Sequence, residues 1–183
     1  MARSSTVRWV FLDRDGTLNV KPPDGEYVER PEGLELLPGA AEAVEMLNRA
    51  GLWTGLVTNQ RGVALGRMSL ASVEAVHERL VGLLRARGAY LDAIYTCPHG
   101  LGECDCRKPE PGLLLRARDE HPTLDFARAA IVGDSPSDMQ AGRALGLRTV
   151  LIGAGEDVRA GTAEADHVVA DPLAAARLLL TMA

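Results

Sequence analysis

Short apolar runs alternate along the chain with segments in which apolar residues recur at helical spacing. The apolar runs predict strands over 7–12, 53–58, 91–97, 127–133, 147–153 and 166–170. The periodic segments predict helices over 39–50, 69–88, 111–121, about 137–145 and from Pro172 to the end. Gly51 and Gly88 mark two helix ends, and Ser69 or Ser72 is the expected N-cap of the second helix.

Strands that alternate with helices indicate right-handed βαβ units and a parallel sheet. The expected fold is therefore α/β, a Rossmann-like three-layer α/β/α sandwich with a central parallel sheet. Near-continuous apolar strands are typical of a sheet covered on both faces, so Trp9, Phe11 and Trp53 are expected in the core. A chain of 183 residues is long enough for one domain, which we expect to span residues 1–183.

Two acidic residues, Asp13 and Asp15, follow the first predicted strand directly, on a turn that contains Gly16. In a parallel sheet, ligands bind beyond the carboxyl ends of the strands. Two carboxylates held close together repel each other unless they share a proton or bind a cation. Mg²⁺ meets that need because it prefers oxygen ligands and retains waters and substrate phosphate. Taken alone, the pair is also compatible with a solvated Asp-Gly turn.

Other strand ends carry polar groups that favour a functional site over a turn. Thr58-Asn59-Gln60 follows the second predicted strand, and Asp134 and Asp138 follow the fourth. Together with Lys108, these residues supply a nucleophile, a metal site and donors for a transferring phosphoryl group. The combination predicts phosphoryl-transfer chemistry.

The three cysteines of the chain lie close together and share their segment with a histidine. The candidate ligands are Cys97, His99, Cys104 and Cys106. Three thiolates and one imidazole suit tetrahedral Zn²⁺, and such a site would be structural because the protein fills all four positions. Reduced, unliganded cysteines are the alternative. Arg107 and Lys108 follow at once, so zinc would order the loop over 97–109 that carries Lys108.

The chain resembles the phosphatases of the haloacid dehalogenase (HAD) superfamily in four segments, FLDRDGT, VTNQ, RKP and VGDSPSD. The resemblance runs from residue 10 to about residue 152. It implies that Asp13 is a nucleophile that forms an aspartyl-phosphate and that Asp15 is the general acid and then the general base. It also implies that Thr58 and Lys108 hold the phosphoryl oxygens. The implied ligands of Mg²⁺ are Asp13, the Asp15 carbonyl and Asp134, with Asp138 in support of the metal or its waters.

Within that superfamily, the chain is similar to the bacterial D-glycero-D-manno-heptose 1,7-bisphosphate phosphatases in CPHGLGECDCRKPEPG and VTNQRGVALG. The histidinol-phosphate phosphatases are close relatives of that group. Both groups carry this zinc loop and only a minimal cap. The resemblance implies removal of the C7 phosphate of the heptose bisphosphate, with histidinol phosphate as the alternative substrate.

The same resemblance implies which residues contact the substrate. They are Asn19, Asn59, Gln60 and Arg61, which would line the entrance, and Arg107, which would recognise the substrate. The chain departs from the heptose enzymes at Ser135, where they usually carry a basic residue. A phosphate contact would then come from elsewhere, with Arg61 and Arg67 as candidates.

Two other classes of function share parts of the pattern. Nucleic-acid 3′-phosphatases carry related DxDGT and TNQ motifs, but the net charge of −5 and the lack of clustered Lys and Arg disfavour a nucleic-acid partner. A receiver-like switch domain also places acids at strand ends, but the second acid, Asp15, would hydrolyse a phosphoaspartate rapidly. The expected partner is therefore a small phosphorylated molecule.

The remaining expectations concern location and assembly. No apolar stretch approaches the roughly 20 residues that span a bilayer, so no membrane association is expected. The first residues lack the apolar core of a signal peptide. We therefore expect a cytoplasmic protein, and we expect it to be a monomer.

Overall fold

A parallel sheet forms the centre of the computed structural model, which describes residues 6–153 and 164–183. Its strands are β1 (Trp9–Leu12), β2 (Trp53–Asn59), β3 (Ala93–Cys97), β4 (Ala129–Gly133), β5 (Arg148–Ile152) and β6 (His167–Val169). The strand order is β3-β2-β1-β4-β5-β6, and every neighbouring pair is parallel. The order reverses between β1 and β4, which is the place where sheets of this kind bind ligands.

Helices cover both faces of the sheet and complete the three layers that the sequence predicts. They are α1 (Ala40–Arg49), α2 (Leu70–Arg85), α3 (Gly112–Glu120), α4 (Pro136–Ala144) and α5 (Pro172–Leu180). On one face, α1, α2 and α5 pack over Val10 and Leu12 of β1, and on the other α3 and α4 pack over Phe11. The predicted α/β/α fold is confirmed. None of the helices within 6–153 and 164–183 is long and apolar enough to cross a membrane.

The ends of α2 follow from its capping residues. Ser69 is the N-cap, because its Oγ accepts a hydrogen bond of 3.0 Å from the backbone N–H of Ser72. The helix ends at Arg85, three residues before the predicted end. There Gly88 adopts a φ of +78°, and the Ala89 N–H returns to the Leu84 carbonyl.

The two tryptophans lie at the edge of the core, and the prediction that they are core residues was too simple. Phe11 is fully buried, whereas Trp9 and Trp53 are half-buried. Their rings are 5.0 Å apart and pack together against His121. Each indole thus covers one edge of the apolar layer under α3 while keeping a rim in water.

Two helical glycines give a matched test of how tightly α4 packs on the sheet. A Cβ at Gly142 would lie 2.4 Å from the Ile131 side chain, whereas a Cβ at Gly82 of α2 would meet nothing within 4 Å. Gly142→Ala should therefore lower the free energy of unfolding by about 1–3 kcal/mol. Gly82→Ala should raise it by about 0.5–1 kcal/mol through helix propensity alone. Urea titration of both variants measures this, and a Gly142→Ala protein as stable as wild type would contradict the packing.

Candidate active site

The predicted site residues meet where β1, β2 and β4 end. Asp13 directly follows β1, and its N–H donates to the Val132 carbonyl of β4 at 2.9 Å. Thr58 lies at the end of β2, and Asp134 is the first residue after β4. Lys108 comes from the loop between β3 and α3 and reaches across β2 to the same point. Four segments that are distant in sequence thus converge on one carboxyl edge.

The side chain of Lys108 is buried at the centre of this site. Its Nζ donates to Asp13 Oδ1 at 2.8 Å, to Asp138 Oδ1 at 2.5 Å and to the Val57 carbonyl at 2.7 Å. Burial alone would lower the pKa of Lys108, but attraction to Asp13 and Asp138 outweighs it and raises the pKa. The ammonium group therefore stays charged, and all three of its hydrogens are used.

Three carboxylates surround Lys108, and they outnumber the cations that contact them. Oxygens of Asp13, Asp134 and Asp138 all lie within 4.8 Å of one another. Burial raises the pKa of Asp13 to about 7; Lys108 opposes the rise, and repulsion from Asp138 and Asp134 adds to it. A buried cluster of hard oxygen ligands with excess negative charge fits Mg²⁺.

Asp138 is held differently from the other two acids. It is the third residue of α4, and its Oδ2 accepts from the Ser135 N–H at 3.2 Å and from the Ser135 hydroxyl at 2.6 Å. With Oδ1 on Lys108, both of its oxygens have partners inside the protein. This geometry suits support of a metal site, whereas Asp13 and Asp134 keep some exposure to the opening.

Lys21 is a second cation at the site, which sequence reasoning missed. Its Nζ lies 2.7 Å from Asp134 Oδ2, and its side chain is about half exposed at 53%. Because Lys21 lies in an irregular loop with no periodicity, nothing in the sequence indicates where its side chain points. Lys21 and Asp134 both line a groove of about 670 Å³ beside the carboxylates.

The carboxyl group of Asp15 is surrounded by donors. Asn19 Nδ2 donates to Oδ1 at 2.9 Å, and Gln60 Nε2 donates to Oδ2 at 3.1 Å. Arg14 adds its guanidinium, with Nη2 at 3.0 Å from Oδ2. Asn19 and Gln60 are fully buried, so the structure places them beneath the entrance that they were expected to line.

Asn59 and Gln60 also fix the groups around them. Asn59 forms two hydrogen bonds with the backbone of Lys108, donating to its carbonyl at 2.9 Å and accepting from its N–H at 3.1 Å. Gln60 Nε2 donates to Thr58 Oγ1 at 2.8 Å, which leaves the Thr58 hydroxyl hydrogen for another acceptor. The VTNQ segment therefore positions Lys108 and Thr58.

Several buried polar side-chain atoms have no hydrogen-bond partner within the described part of the protein. Among the described residues they include Arg61 Nε, Arg107 Nη1, Thr17 Oγ1 and Asn19 Oδ1. Buried N–H groups of a guanidinium that bind nothing are costly, so they fit a site for an anion that the protein itself does not supply. Arg107 and Lys108 line a groove of about 620 Å³ next to the 101–105 loop. Arg67, the other candidate for a phosphate contact, pairs with Glu29 at 3.2 Å.

The predicted cysteine and histidine ligands form one cluster. Cys104 Sγ lies 3.5 Å from Cys97 Sγ and 3.3 Å from Cys106 Sγ. His99 Nδ1 lies 3.7 Å from Cys97 Sγ and 3.3 Å from Cys106 Sγ. All three cysteines are free, and these separations are near the roughly 3.6–3.8 Å edges of a tetrahedron with zinc–sulfur bonds of about 2.3 Å. The cluster fits a zinc ion with four protein ligands.

Two other residues near the site were not found from the sequence. They are Arg14 and His77, to which the sequence analysis assigns no role. Both are buried, and Arg14 Nη1 lies 3.3 Å from His77 Nε2. The sequence feature that could have drawn attention to Arg14 is a charged residue placed directly at the end of an apolar strand. His77 lies on the apolar face of α2, where a histidine reads like any core residue.

The known proteins to which this chain is similar include phosphatases, in agreement with the geometry of this site. Residues 105–176 match the family model described as HAD-hydrolase-like. A D-glycero-beta-D-manno-heptose-1,7-bisphosphate 7-phosphatase of Pseudomonas putida is 38% identical over 178 residues, which cover 95% of this chain and 100% of the relative. The Escherichia coli K12 protein of the same name is 41% identical, covering 91% of this chain and 87% of the relative.

A solved structure gives the same answer for the fold. The D,D-heptose 1,7-bisphosphate phosphatase of B. bronchiseptica, complexed with magnesium and phosphate, superposes with a TM-score of 0.87 at 33% identity. The match covers 97% of this chain and 100% of that one. Since the similarity extends over nearly the whole chain, the protein belongs to the D-glycero-beta-D-manno-heptose-1,7-bisphosphate 7-phosphatase family of HAD phosphatases.

Proposed function

We propose that the protein is a Mg²⁺-dependent phosphatase that removes the C7 phosphate of D-glycero-β-D-manno-heptose 1,7-bisphosphate through an aspartyl-phosphate on Asp13. The observation that carries the chemistry is the buried Lys108 bridge between Asp13 and Asp138 at the carboxyl edge of the sheet. The relatives named for this activity support the substrate.

In the first step, a carboxylate oxygen of Asp13 attacks the phosphorus, and the bond from phosphorus to the leaving oxygen breaks. Asp15 gives its proton to that oxygen, which leaves as an alcohol. The Thr58 hydroxyl, whose hydrogen Gln60 leaves free, and the Lys108 ammonium, which would exchange a carboxylate contact for the substrate, hold phosphoryl oxygens. Their positive ends stabilise the charge of the transferring group.

In the second step, water attacks the phosphorus of the aspartyl-phosphate, and the bond to Asp13 breaks. Asp15, now a carboxylate, takes the proton from that water. The sum of the two steps is ester plus water giving alcohol plus phosphate, and both residues return to their initial state. The donors of Asn19 and Gln60 fix the Asp15 carboxyl group throughout.

Asp13, the Asp15 carbonyl and Asp134 would hold Mg²⁺, with Asp138 behind them. The close set of carboxylate oxygens and the raised pKa of Asp13, caused mainly by burial, support this assignment. When bound, Mg²⁺ neutralises charge on the phosphoryl oxygens and on the carboxylates that surround them.

We assign recognition of the rest of the substrate to Arg107 and Arg61. Their partnerless buried N–H groups support contacts to a second phosphate or to sugar hydroxyls. Arg61 is the better replacement for the basic residue missing at Ser135, because Arg67 is already paired with Glu29. Asn59 contributes indirectly by holding the Lys108 backbone.

We assign Zn²⁺ to the cluster of Cys97, His99, Cys104 and Cys106. The cluster precedes Arg107 and Lys108 directly, so zinc would order the loop that delivers both side chains. Zinc would therefore contribute to positioning and take no part in the chemistry.

The relatives do not favour the alternatives, histidinol phosphate and a nucleic-acid 3′-phosphate. The net charge of −5 argues against a polynucleotide, because phosphate-backbone binding needs clustered cations. We further propose that the enzyme acts as a monomer in the cytoplasm and that residues 1–183 form one domain.

The substrate assignment predicts a rank order of kcat/KM. With Mg²⁺ present, the heptose bisphosphate should be hydrolysed with a kcat/KM at least about tenfold above that of histidinol phosphate, because only it offers a second phosphate to the arginines. Phosphate release should be measured for both anomers, for histidinol phosphate and for a 3′-phosphorylated oligonucleotide. A higher kcat/KM for either of the last two would reject the heptose assignment.

An inactive variant is needed as the blank for those assays, and Asp13→Asn should provide it. Asp13→Asn keeps the shape of the side chain but removes the nucleophile, so kcat should fall by at least about a thousandfold without unfolding. Asp119→Asn, an exposed acid on α3, is the matched control and should keep wild-type activity. Near-wild-type turnover by Asp13→Asn would remove Asp13 as the nucleophile.

The zinc assignment predicts a local effect of metal removal. Chelated protein that is given back Mg²⁺ alone should lose about tenfold to a hundredfold in kcat, because Arg107 and Lys108 are no longer held in place. Amide hydrogen exchange should rise in 97–109 but not in β4, and added Zn²⁺ should reverse both changes. Full activity of zinc-free protein, checked by metal analysis, would show that the cluster does not order the site.

A further inference from the structure

Arg14 is a fully buried cation that the chemistry above does not use. It lies between the two catalytic acids in sequence, and no part of its side chain is exposed. The guanidinium spans three partners: Asp15, Gln60 and His77. A buried guanidinium is stable only when its N–H groups are paired, so its position depends on all three.

Most of the donors of Arg14 are directed at its neighbour Asp15. Nη2 lies 3.0 Å from Oδ2 and 3.1 Å from Oδ1, and Nε lies 3.2 Å from Oδ1. The same Nη2 donates to Gln60 Oε1 at 3.1 Å, and Gln60 in turn donates to Asp15 Oδ2. Fork-like pairing of this kind fixes the plane of a carboxylate as well as its place.

His77 holds the far end of the guanidinium. It lies on the buried face of α2, and its Nε2 is 3.3 Å from Arg14 Nη1. Burial and the nearby Arg14 charge lower the pKa of His77 to about 4, so the ring is neutral and Nε2 accepts the hydrogen bond near neutral pH. The chain of contacts His77–Arg14–Asp15 therefore connects α2 to the acid that exchanges protons.

We propose that Arg14 and His77 are positioning residues: His77 orients the guanidinium of Arg14, and Arg14 fixes the carboxyl group of Asp15 for proton transfer to the leaving oxygen. This proposal rests on the acid/base role of Asp15 in the proposed function. Both residues act through Asp15, so their effect should appear only in reactions that need the proton from Asp15.

Leaving groups of different basicity provide the test. An alkyl phosphate needs a general acid because it expels a strongly basic alkoxide, whereas p-nitrophenyl phosphate expels a stable phenolate. The parameter to compare is kcat/KM, which covers the steps up to the loss of the leaving group. General acid catalysis contributes about 10²–10⁴-fold, which sets the range of the expected loss.

Arg14→Gln should lower kcat/KM for an alkyl phosphate substrate by about a hundredfold and for p-nitrophenyl phosphate by less than about fivefold. His77→Leu, which leaves Nη1 of Arg14 without an acceptor, should show the same selectivity with a loss of about tenfold. His77→Gln offers a side-chain carbonyl to Nη1 and should stay within about threefold of wild type. His121→Gln, on the opposite face of the sheet, is the matched control and should change neither rate.

A merely structural role predicts equal losses on both substrates, and that result would overturn the proposal. If Arg14→Gln does not fold, the two His77 variants decide the question, because they leave the charge pair intact. Asp15→Asn tests the acid/base role of Asp15 separately from the positioning role of Arg14 and His77. If it shows no leaving-group selectivity, the acid/base role itself is wrong and the proposal falls with it; if it does and the Arg14 and His77 variants do not, the positioning role alone is wrong.

Discussion

The active site depends on one buried ammonium group. Lys108 is held between Asp13, Asp138 and the Val57 carbonyl, which together accept all three of its hydrogens. Removing either carboxylate would leave a buried cation with an unused donor, which is costly. The nucleophile, the end of β2 and the start of α4 are therefore tied to a single point.

Much of the surrounding structure brings Lys108 to that point. Asn59 binds its backbone N–H and carbonyl, and the cysteine and histidine cluster lies in the loop that precedes it. Asp138 reaches Lys108 because the capping box of α4 fixes its side chain against Ser135. Each of these contacts fixes a position, and the proposed chemistry then needs Asp13, Asp15, Mg²⁺ and donors for the phosphoryl oxygens. We propose that the buried His77–Arg14 pair positions Asp15 in a similar way.

The fold, and the clustering of the three aspartates and of the cysteines with His99, could be predicted from the sequence for identifiable physical reasons. Buried parallel strands are continuous apolar runs, and the acids that follow them must share one edge of the sheet, so the convergence of Asp13, Asp134 and Thr58 was accessible. Cys104 and Cys106 are only two residues apart, and this close spacing indicated a cluster of metal-binding thiols. What periodicity cannot give is the direction of a side chain. That is why Lys21, Arg14 and His77 were missed and why Gln60 was expected at the entrance.

The proposed mechanism requires that Asp13 becomes phosphorylated during turnover. The most direct measurement is acid quenching within the first turnovers, followed by mass spectrometry of the peptides of wild-type protein and of Asp15→Asn. One added phosphoryl group is expected on the peptide that contains Asp13. With p-nitrophenyl phosphate, whose leaving group needs no acid, more of it is expected in Asp15→Asn because only water attack is slowed. A phosphoryl group on any other residue, or an unmodified Asp13 while product is released in a burst, would contradict it.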